Sequence, residues 1–241
     1  MEKIVHIVAN GKGGCGKSTV ATILYQVLKS AGKAPLGIDT DPVNDTFHRH
    51  QGIESKLVGL LGDDKKLNTR AFDEMVDWIV AHDGDVVIDN GAASFFPVID
   101  YMVACDLVDE LKAENIKVVM HVPLEGGQGA KDTIQGLQTI LKEIHAEAVV
   151  WKNEFRHGEV TYQGKTFEQS ETAKNFAQQI RGTIVMPSFD HDTFGEDIRQ
   201  MSSHNMTFDE AINSADFGRM MKSRLKKVWE YYKVETAKVI A

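Results

Sequence analysis

The stretch that decides the fold is Gly11-Lys12-Gly13-Gly14-Cys15-Gly16-Lys17-Ser18-Thr19. It satisfies the pattern G-x-x-x-x-G-K-[ST]. A short apolar run at residues 4–8 precedes it, and residues 17–30 carry apolar side chains at helical spacing. Glycines in such a loop let backbone N–H groups turn inward around phosphate oxygens, and the start of a helix favours anions. The stretch therefore predicts a phosphate-binding turn between a buried strand and a helix.

Several side chains of this loop have expected roles of their own. Lys17 would reach the β- and γ-phosphates of a nucleotide, and the Ser18 hydroxyl would take a position on Mg²⁺. For Cys15 only the backbone N–H is expected to matter. Lys12 has two interpretations: a solvated loop lysine, or a second lysine directed at phosphate.

Outward from this loop, short apolar runs alternate with helical patterns along the whole chain. We predict strands at residues 4–8, 36–39, 86–89, 118–122, 148–151 and 183–186, and helices at 17–30, 71–81, 98–112, 130–145, 167–180 and from 208 onward. Because the strands read as continuous apolar runs, they predict a doubly wound α/β fold with a mostly parallel sheet and helices on both faces. Residues 1–241 show no domain boundary, and residues 158–164 suggest a small hairpin or loop excursion.

The composition excludes several classes of protein. The chain has 241 residues, 42% hydrophobic and 26% charged, which rules out disorder as the main state, and its net charge of -8 disfavours whole-surface binding of nucleic acid. Two cysteines cannot build a disulfide framework or a structural zinc site. With no signal-peptide pattern and no apolar run near membrane length, we expect a cytoplasmic protein.

Carboxylates follow two of the predicted strands. Asp39 and Asp41 end the second strand, and Asp89 ends the third. Ligands of parallel sheets bind beyond the carboxyl ends of the strands, and phosphoryl transfer needs a metal ligand and a group that positions water. The alternative is that all three are turn-forming residues, with Pro42 stopping the second strand.

The loop and its acidic residues resemble those of the MinD/ParA/nitrogenase iron protein superfamily. The pattern KGGxxGK[ST] is similar to its deviant Walker A loop, which implies that Lys12 reaches the phosphates of a partner subunit in an ATP-sandwich homodimer. Residues 38–47 (IDTDPVNDTF) resemble switch I, which implies that Asp41 orients the attacking water, directly or through Mg²⁺, that Asp39 supports the metal shell, and that Asn44 supports the loop. By the same resemblance Asp89 holds Mg²⁺ through water.

Two residues are expected near the nucleotide base. Asn153 follows a later strand, and in the superfamily an Asn at this place contacts the purine. The guanine-reading pattern N-K-x-D is absent, since Glu154 and Phe155 come next, so ATP is favoured over GTP. Pro187 resembles the proline that borders the adenine, or is a plain strand terminator.

Further segments narrow the resemblance to the TraL family of conjugal transfer proteins. They are residues 38–47, 85–97, 164–169 and 206–212. This resemblance implies a cytoplasmic, accessory ATP-binding protein of plasmid transfer, with no defined reaction beyond ATP hydrolysis. Our leading hypothesis is a regulatory ATPase with slow turnover, whose ATP state is read by a macromolecular partner of the transfer machinery. Two other functions stay open: an ATP-dependent ligase or amidotransferase acting on a small acid, and an interaction module that binds ATP but hardly hydrolyses it.

The C-terminal helix, expected at about residues 214–238, is amphipathic and basic. Between residues 219 and 238 there are seven Lys or Arg and two Glu, which makes this segment basic in an acidic chain. One helical stripe carries Met221, Leu225, Val228, Trp229, Tyr232 and Val239. We expect this stripe to pack on the sheet, rather than to bind a membrane surface, a nucleic acid or a partner. His6, His121 and His145 are likewise expected to be packed residues.

Overall fold

The computed structural model describes residues 2–41, 44–60, 68 and 70–240. The strands are β1 (Lys3–Val8), β2 (Leu36–Asp39), β3 (Ser55–Leu57), β4 (Val86–Asp89), β5 (Ile116–Glu125), β6 (Glu147–Asn153), β7 (Thr161–Tyr162), β8 (Lys165–Thr166) and β9 (Ile180–Met186). The α-helices are α1 (Lys17–Ser30), α2 (Ala71–Ala81), α3 (Phe95–Ala104), α4 (Leu107–Ala113), α5 (Ala130–Glu143), α6 (Glu171–Asn175), α7 (Glu196–Ser203), α8 (Phe208–Asn213) and α9 (Arg219–Ile240). Pro42, expected to stop the second strand, lies outside the described residues.

Seven strands form one parallel sheet in the order β3-β2-β4-β1-β5-β6-β9. All six strands predicted from the apolar runs are present, and the doubly wound α/β fold is confirmed. One apolar cluster lies between the sheet and α2–α5, and a second lies between the opposite face and α1, α7, α8 and α9. Burial on both faces explains why the central strands carry few polar residues. No helix among the described residues has the length and apolarity needed to cross a bilayer.

The helix predicted at residues 98–112 is wrong in its extent. The structure has two helices there, α3 and α4, and the chain turns between them at Asp106, whose φ is 48°. Aspartate tolerates this left-handed conformation better than most residues, which permits the break. Helix α3 also starts earlier than predicted, and Pro97 lies within its first turn, where the missing N–H costs no hydrogen bond.

The helix predicted at residues 167–180 is also wrong. A short 3₁₀ turn at Phe167–Gln169 is followed by α6, whose first turn is capped by the Ser170 side chain accepting from the Ala173 N–H. The chain leaves the helix at Phe176, and β9 already begins at Ile180. The apolar side chains that suggested one long helix therefore belong to a 3₁₀ turn, a short helix and the start of a strand.

The hairpin suggested at residues 158–164 is confirmed slightly downstream, where β7 and β8 pair antiparallel. The C-terminal helical region is interrupted, because α8 ends at Asn213 and the basic helix α9 begins at Arg219 rather than near residue 214. Strand β3 was not predicted, and its three residues form an edge of the sheet. His145 is exposed just after α5, so its expected packing is wrong, whereas His6 and His121 are buried.

Candidate functional site

The phosphate loop connects β1 to α1 in the geometry that its glycines allow. Gly14 and Gly16 have φ values of 77° and 106°, which side-chain-bearing residues rarely adopt. Helix α1 starts directly after Gly16, whose carbonyl accepts from the Val20 N–H at 3.0 Å. The Lys17 side chain is buried beneath the loop, and its Nζ donates to the Lys12 carbonyl at 2.9 Å. The loop therefore has the strand–turn–helix geometry that phosphate binding requires.

Asn10, which the motif does not include, fastens this loop to the neighbouring elements. Its side-chain oxygen accepts from the Lys12 N–H at 3.1 Å. Its side-chain amide donates to the carbonyls of Pro123 and Thr133, both at 3.0 Å. Since Asn10 is fully buried, these bonds replace its contacts with water and hold the loop against β5 and α5.

Asn153 lies against the phosphate loop. Its side-chain amide donates to the Cys15 carbonyl at 2.9 Å, and its side-chain oxygen accepts from the Phe155 N–H at 3.2 Å. A Cβ on Gly16 would come within 2.8 Å of the Asn153 amide nitrogen, so only glycine fits there. Pro187 follows β9, whose last residue is paired with Asn153. Asn153 and Pro187 are therefore neighbours at the carboxyl ends of β6 and β9.

The carboxyl ends of β2 and β4 bring the predicted acidic residues together. Asp39 and Asp89 are paired opposite each other in the sheet. Asp39 is buried and accepts from the N–H groups of Asp41 and His48 at 2.9 and 3.1 Å. Asp41 lies one step further into the loop, where its side chain accepts from the Asn44 N–H at 2.9 Å. Asn44 thus contacts Asp41 through its backbone N–H, and the expected role of its side chain in supporting the loop stays a prediction.

Burial makes both strand-end carboxylates hard to ionise. It raises the pKa of Asp89 to about 7, with the nearby charge of Asp39 adding to the shift and a hydrogen bond from Ser18 and the charge of Lys17 opposing it. Burial also raises the pKa of Asp39 to about 6, although its two backbone hydrogen bonds work in the other direction. A cation placed between these groups would reverse the shifts, because it favours the charged carboxylates.

The residues present fit a magnesium ion held mainly by phosphate. One carboxylate oxygen of Asp89 is buried and has no hydrogen-bond partner, and the Ser18 side chain lies within hydrogen-bond reach of that carboxyl group. Within the described parts of the chain, no three His, Cys, Asp or Glu side chains are grouped to ligate a metal by themselves. Mg²⁺ usually keeps several waters and binds through one or two protein oxygens plus substrate phosphates. Such a shell would use Ser18 directly and Asp89 through water.

Lys12 extends from the loop to the surface. Its Nζ pairs with Asp132 in the first turn of α5 at 3.1 Å, and both side chains are more than one-third exposed. This hydrogen bond raises the pKa of Lys12. The buried carboxylate of Glu125 lies nearby and adds to the negative potential around Lys12. The two lysines of the loop therefore have different surroundings: Lys17 is enclosed, and Lys12 is held by an exposed ion pair.

Sequence reasoning missed Asn10, Asp132 and Ser94. Asn10 directly precedes the loop, and its polar side chain at the end of an apolar strand could have indicated a role in holding the loop. Asp132 is far from Lys12 in sequence, and nothing short of the fold brings them together. Ser94 lies in the segment of residues 85–97 that resembles the TraL family. Its contact with Thr40, which follows β2, depends on the pairing of β2 with β4.

Comparison with known proteins agrees with this geometry. Residues 6–228 match the family model described as the CobQ/CobB/MinD/ParA nucleotide binding domain. The chain is 35% identical over 241 residues to an Escherichia coli protein named TraL, covering 98% of this chain and 99% of that one. A second Escherichia coli TraL is 35% identical over 226 residues, covering 93% of each chain.

Among solved structures, the MinD cell division protein of Aquifex aeolicus superposes with a TM-score of 0.51 and 14% identity, covering 94% of this chain and 96% of that one. At this identity the likeness concerns the fold alone. The family model and the nearly full-length TraL relatives carry the assignment. The chain belongs to the CobQ/CobB/MinD/ParA family of nucleotide-binding domains and, within it, to the TraL proteins.

Proposed function

We propose that this protein binds Mg²⁺–ATP, hydrolyses it slowly, and acts as a nucleotide-dependent dimer switch in plasmid conjugative transfer. The observation that carries the proposal is the pair of lysines in one loop, with Lys17 buried beneath the loop and Lys12 on its surface. The alternative of an ATP-dependent ligase has no comparable support, because no described cluster of side chains suggests a second substrate.

The phosphates of ATP would occupy the loop of residues 11–19, where backbone N–H groups and the start of α1 favour anions. Lys17 would exchange its bond with the Lys12 carbonyl for the β- and γ-phosphates. Mg²⁺, when bound, would neutralise charge on the phosphates, with Ser18 and Asp89 holding it and Asp39 beside them. Asp41 would orient the attacking water.

In a dimer, Lys12 would act on the nucleotide bound by the second subunit. Lys17 already supplies a cation to the bound nucleotide. The ion pair between Lys12 and Asp132 is exposed, and such pairs contribute only about 0–1 kcal/mol, so it can be given up. Across a dimer, the Lys12 ammonium would stabilise charge on the transferring phosphoryl group as an arginine finger does, an effect of roughly 10³–10⁵ in rate in the best cases.

The TraL relatives support the cellular setting that we propose. TraL belongs by name to the transfer proteins, so we place this protein in the cytoplasm of a plasmid-bearing cell, where a macromolecular partner of the transfer machinery reads its nucleotide state. Contact of α9 with a membrane or nucleic acid is not favoured, because Leu225 and Trp229 of its apolar stripe pack in the protein core.

Light scattering with ATP and with ADP tests the dimer. We expect Asp41→Ala, which slows hydrolysis, to be a dimer with ATP and a monomer with ADP, and the addition of Lys12→Ala to give a monomer with both. Lys131→Ala is the matched control, because it removes an exposed lysine next to Asp132 and should leave the ATP dimer intact. A monomer with ATP when Lys12 is present, or a dimer that survives its loss, would refute the switch and leave nucleotide binding standing.

The turnover assay separates the remaining functions. Hydrolysis raised by a macromolecular fraction of transfer-competent cells supports the switch. Rapid turnover that requires a small acid supports the ligase, and tight ATP binding with no turnover under either condition supports a pure interaction module.

A further inference from the structure

A cluster of three buried side chains joins the two strand ends at the candidate site. Ser94 precedes α3, and its hydroxyl has one proton to donate and three acceptors within reach: the side-chain oxygen of Asn90 at 3.0 Å, the Gly91 carbonyl at 3.1 Å and the Thr40 carbonyl at 3.2 Å. The Thr40 hydroxyl donates to the same Asn90 oxygen at 2.8 Å. All three residues are fully buried, so water does not compete for these bonds. We call this cluster of Thr40, Asn90 and Ser94 the clasp.

The clasp connects the segments that carry the candidate catalytic and metal-binding carboxylates. Thr40 lies between Asp39 and Asp41, and Asn90 directly follows Asp89. The Thr40 N–H also donates to the Asp89 carbonyl at 3.0 Å, which continues the pairing of β2 with β4 into the loops. Neither loop can move at this point without separating buried polar groups, which costs free energy.

The Thr40 carbonyl is the contact through which the clasp would act on Asp41. It belongs to the peptide plane that includes the Asp41 N–H, and that N–H donates to the Asp39 carboxylate at 2.9 Å. When the Ser94 hydroxyl donates to this carbonyl, Ser94 and Asp39 hold the two sides of one peptide unit. Because a peptide unit is planar, fixing both sides fixes the position of the Asp41 Cα, from which the side chain leaves the backbone.

The residue after Ser94 extends the connection to the phosphate loop. The Phe95 ring lies so close to Gly11 that a Cβ there would come within 3.1 Å of it. Ser94 and Phe95, consecutive in sequence, thus contact the Asp41 segment and the loop of residues 11–19.

We infer that Ser94 is a positioning residue: through the clasp it sets the orientation of the Thr40–Asp41 peptide and thereby places Asp41 for ATP hydrolysis. This inference rests on the proposed ATPase function, but the arrangement of the clasp does not. Removing the Ser94 hydroxyl should loosen the peptide while the phosphate loop and Lys17 stay in place. ATP affinity is then kept and the chemical step is slowed.

Kinetics test the inference with Ser94→Ala. We expect kcat to fall roughly 10- to 100-fold, the size of effect that misplacing a reacting group produces, with the ATP dissociation constant changed less than about twofold. In an Asp41→Ala background the same change should lower kcat by less than about twofold, because no water-orienting carboxylate is left to misplace. Equal losses in both backgrounds, or no loss in either, would overturn the positioning role.

Thr172→Val is the matched control. Thr172 is buried in α6 and accepts a hydrogen bond from Gln138 at 2.8 Å, remote from the candidate site. Its loss should lower the melting temperature without changing kcat. If Thr172→Val slowed hydrolysis as much as Ser94→Ala does, general destabilisation would explain both results and the inference would be refuted.

Hydrogen exchange of the nucleotide-free protein separates failure of the inference from failure of the proposed function. The Thr40 and Asp41 amides should exchange faster in Ser94→Ala than in the parent and at parental rates in Thr172→Val. Unchanged exchange would overturn the clasp even if the parent hydrolyses ATP. Absence of parental turnover together with faster exchange would refute the ATPase and the positioning of Asp41 for it, while the clasp itself would stand.

Discussion

Gly91 shows how closely the two loops of the site approach each other. A Cβ on Gly91 would come within 2.7–2.9 Å of the Cα, Cβ and Cγ atoms of Asp41. Because Gly91 has no side chain, Asp41 in the loop after β2 can lie directly against it.

We expect Gly91→Ala to displace Asp41 and to slow ATP hydrolysis strongly while ATP still binds. Overpacking of this kind costs about 1–3 kcal/mol of stability. Gly59→Ala is the control, since a Cβ there meets no atom of the described residues within 4 Å and should change neither property. Single-turnover rates and calorimetric ATP titrations measure the two effects, and parental hydrolysis in Gly91→Ala would show that the loops separate easily.

Asn153 has two interpretations that one variant can distinguish. As a base reader, Asn153→Ala would change the preference for ATP over GTP. If Asn153 instead supports the phosphate loop through its bond to the Cys15 carbonyl, Asn153→Ala would lower the affinities for ATP and GTP by a similar factor and leave their ratio unchanged. We expect the second result, since both ends of the side chain are already engaged. Calorimetric titration with each nucleotide provides the ratio.

At the residue scale the motif located the loop glycines, and the strand pattern located Asp39 and Asp89 at neighbouring strand ends, because both patterns are local along the chain. The roles of these residues stay predictions. The bond between Asn153 and Cys15 joins residues that are distant in sequence, and a motif does not contain it. The same holds for Ser94 and Asp132, whose partners are determined by strand order and helix placement.

Among the elements, α9 shows which interpretation of an amphipathic helix the fold selects. The stripe predicted from its sequence is buried at Leu225 and Trp229, and the Trp229 ring stacks on Phe208 of α8. Arg224 on another face pairs with the buried Asp197 of α7. The basic composition is thus compatible with a helix that packs in the core.

We expect Leu225→Ala to lower the free energy of unfolding by about 2–5 kcal/mol, the usual cost of a large cavity in a core. Met220→Ala, on the exposed side of the same helix, should change it by less than about 0.5 kcal/mol. Urea denaturation measures both variants. A stable Leu225→Ala protein that loses only liposome or partner binding would instead favour the surface-helix interpretation.

Helix boundaries were the least predictable feature of the elements. Apolar spacing located α1, α2 and α5, whose stripes are long and unbroken. It missed the break at Asp106, because a single left-handed residue leaves the apolar pattern unchanged. It also missed β3, which has only three residues and no buried side chain to produce a pattern.

At the scale of the whole molecule, two buried histidines are linked to Trp151, which packs on the face of the sheet that α1 and α9 cover. The Trp151 indole N–H donates to His121 Nδ1 at 3.0 Å, so His121 must donate from Nε2 to His6 Nδ1 at 2.9 Å. His6 Nε2 then carries a proton and has no partner among the described residues. This chain of bonds requires both histidines to be neutral.

Stability should therefore fall in acid. Burial lowers the pKa of His6 to about 4 and holds that of His121 well below its usual value. Between pH 6.5 and 4 the His6 side chain binds a proton in the unfolded chain but not in the folded protein. The contribution of His6 to the free energy of unfolding is therefore highest above pH 6.5 and decreases as the pH falls toward 4. The raised pKa values of Asp39 and Asp89 oppose the trend, so a variant is needed to isolate it.

His6→Gln provides that comparison, because glutamine does not titrate. We expect the unfolding midpoint in urea to fall less between pH 6.5 and 4 in His6→Gln than in the parent. Equal losses would show that His6 does not contribute to acid sensitivity.

The packing of α9 against α1 has a consequence for synthesis on the ribosome. Helix α1 follows the phosphate loop and is translated early, yet it packs partly against a helix that begins only at Arg219. Domains form as the chain emerges, and uncovered apolar surface invites aggregation and chaperone binding. The nascent protein must therefore keep its first helix protected through most of translation, and a ribosome that stalls before Arg219 releases a chain that has the complete phosphate loop but an open core.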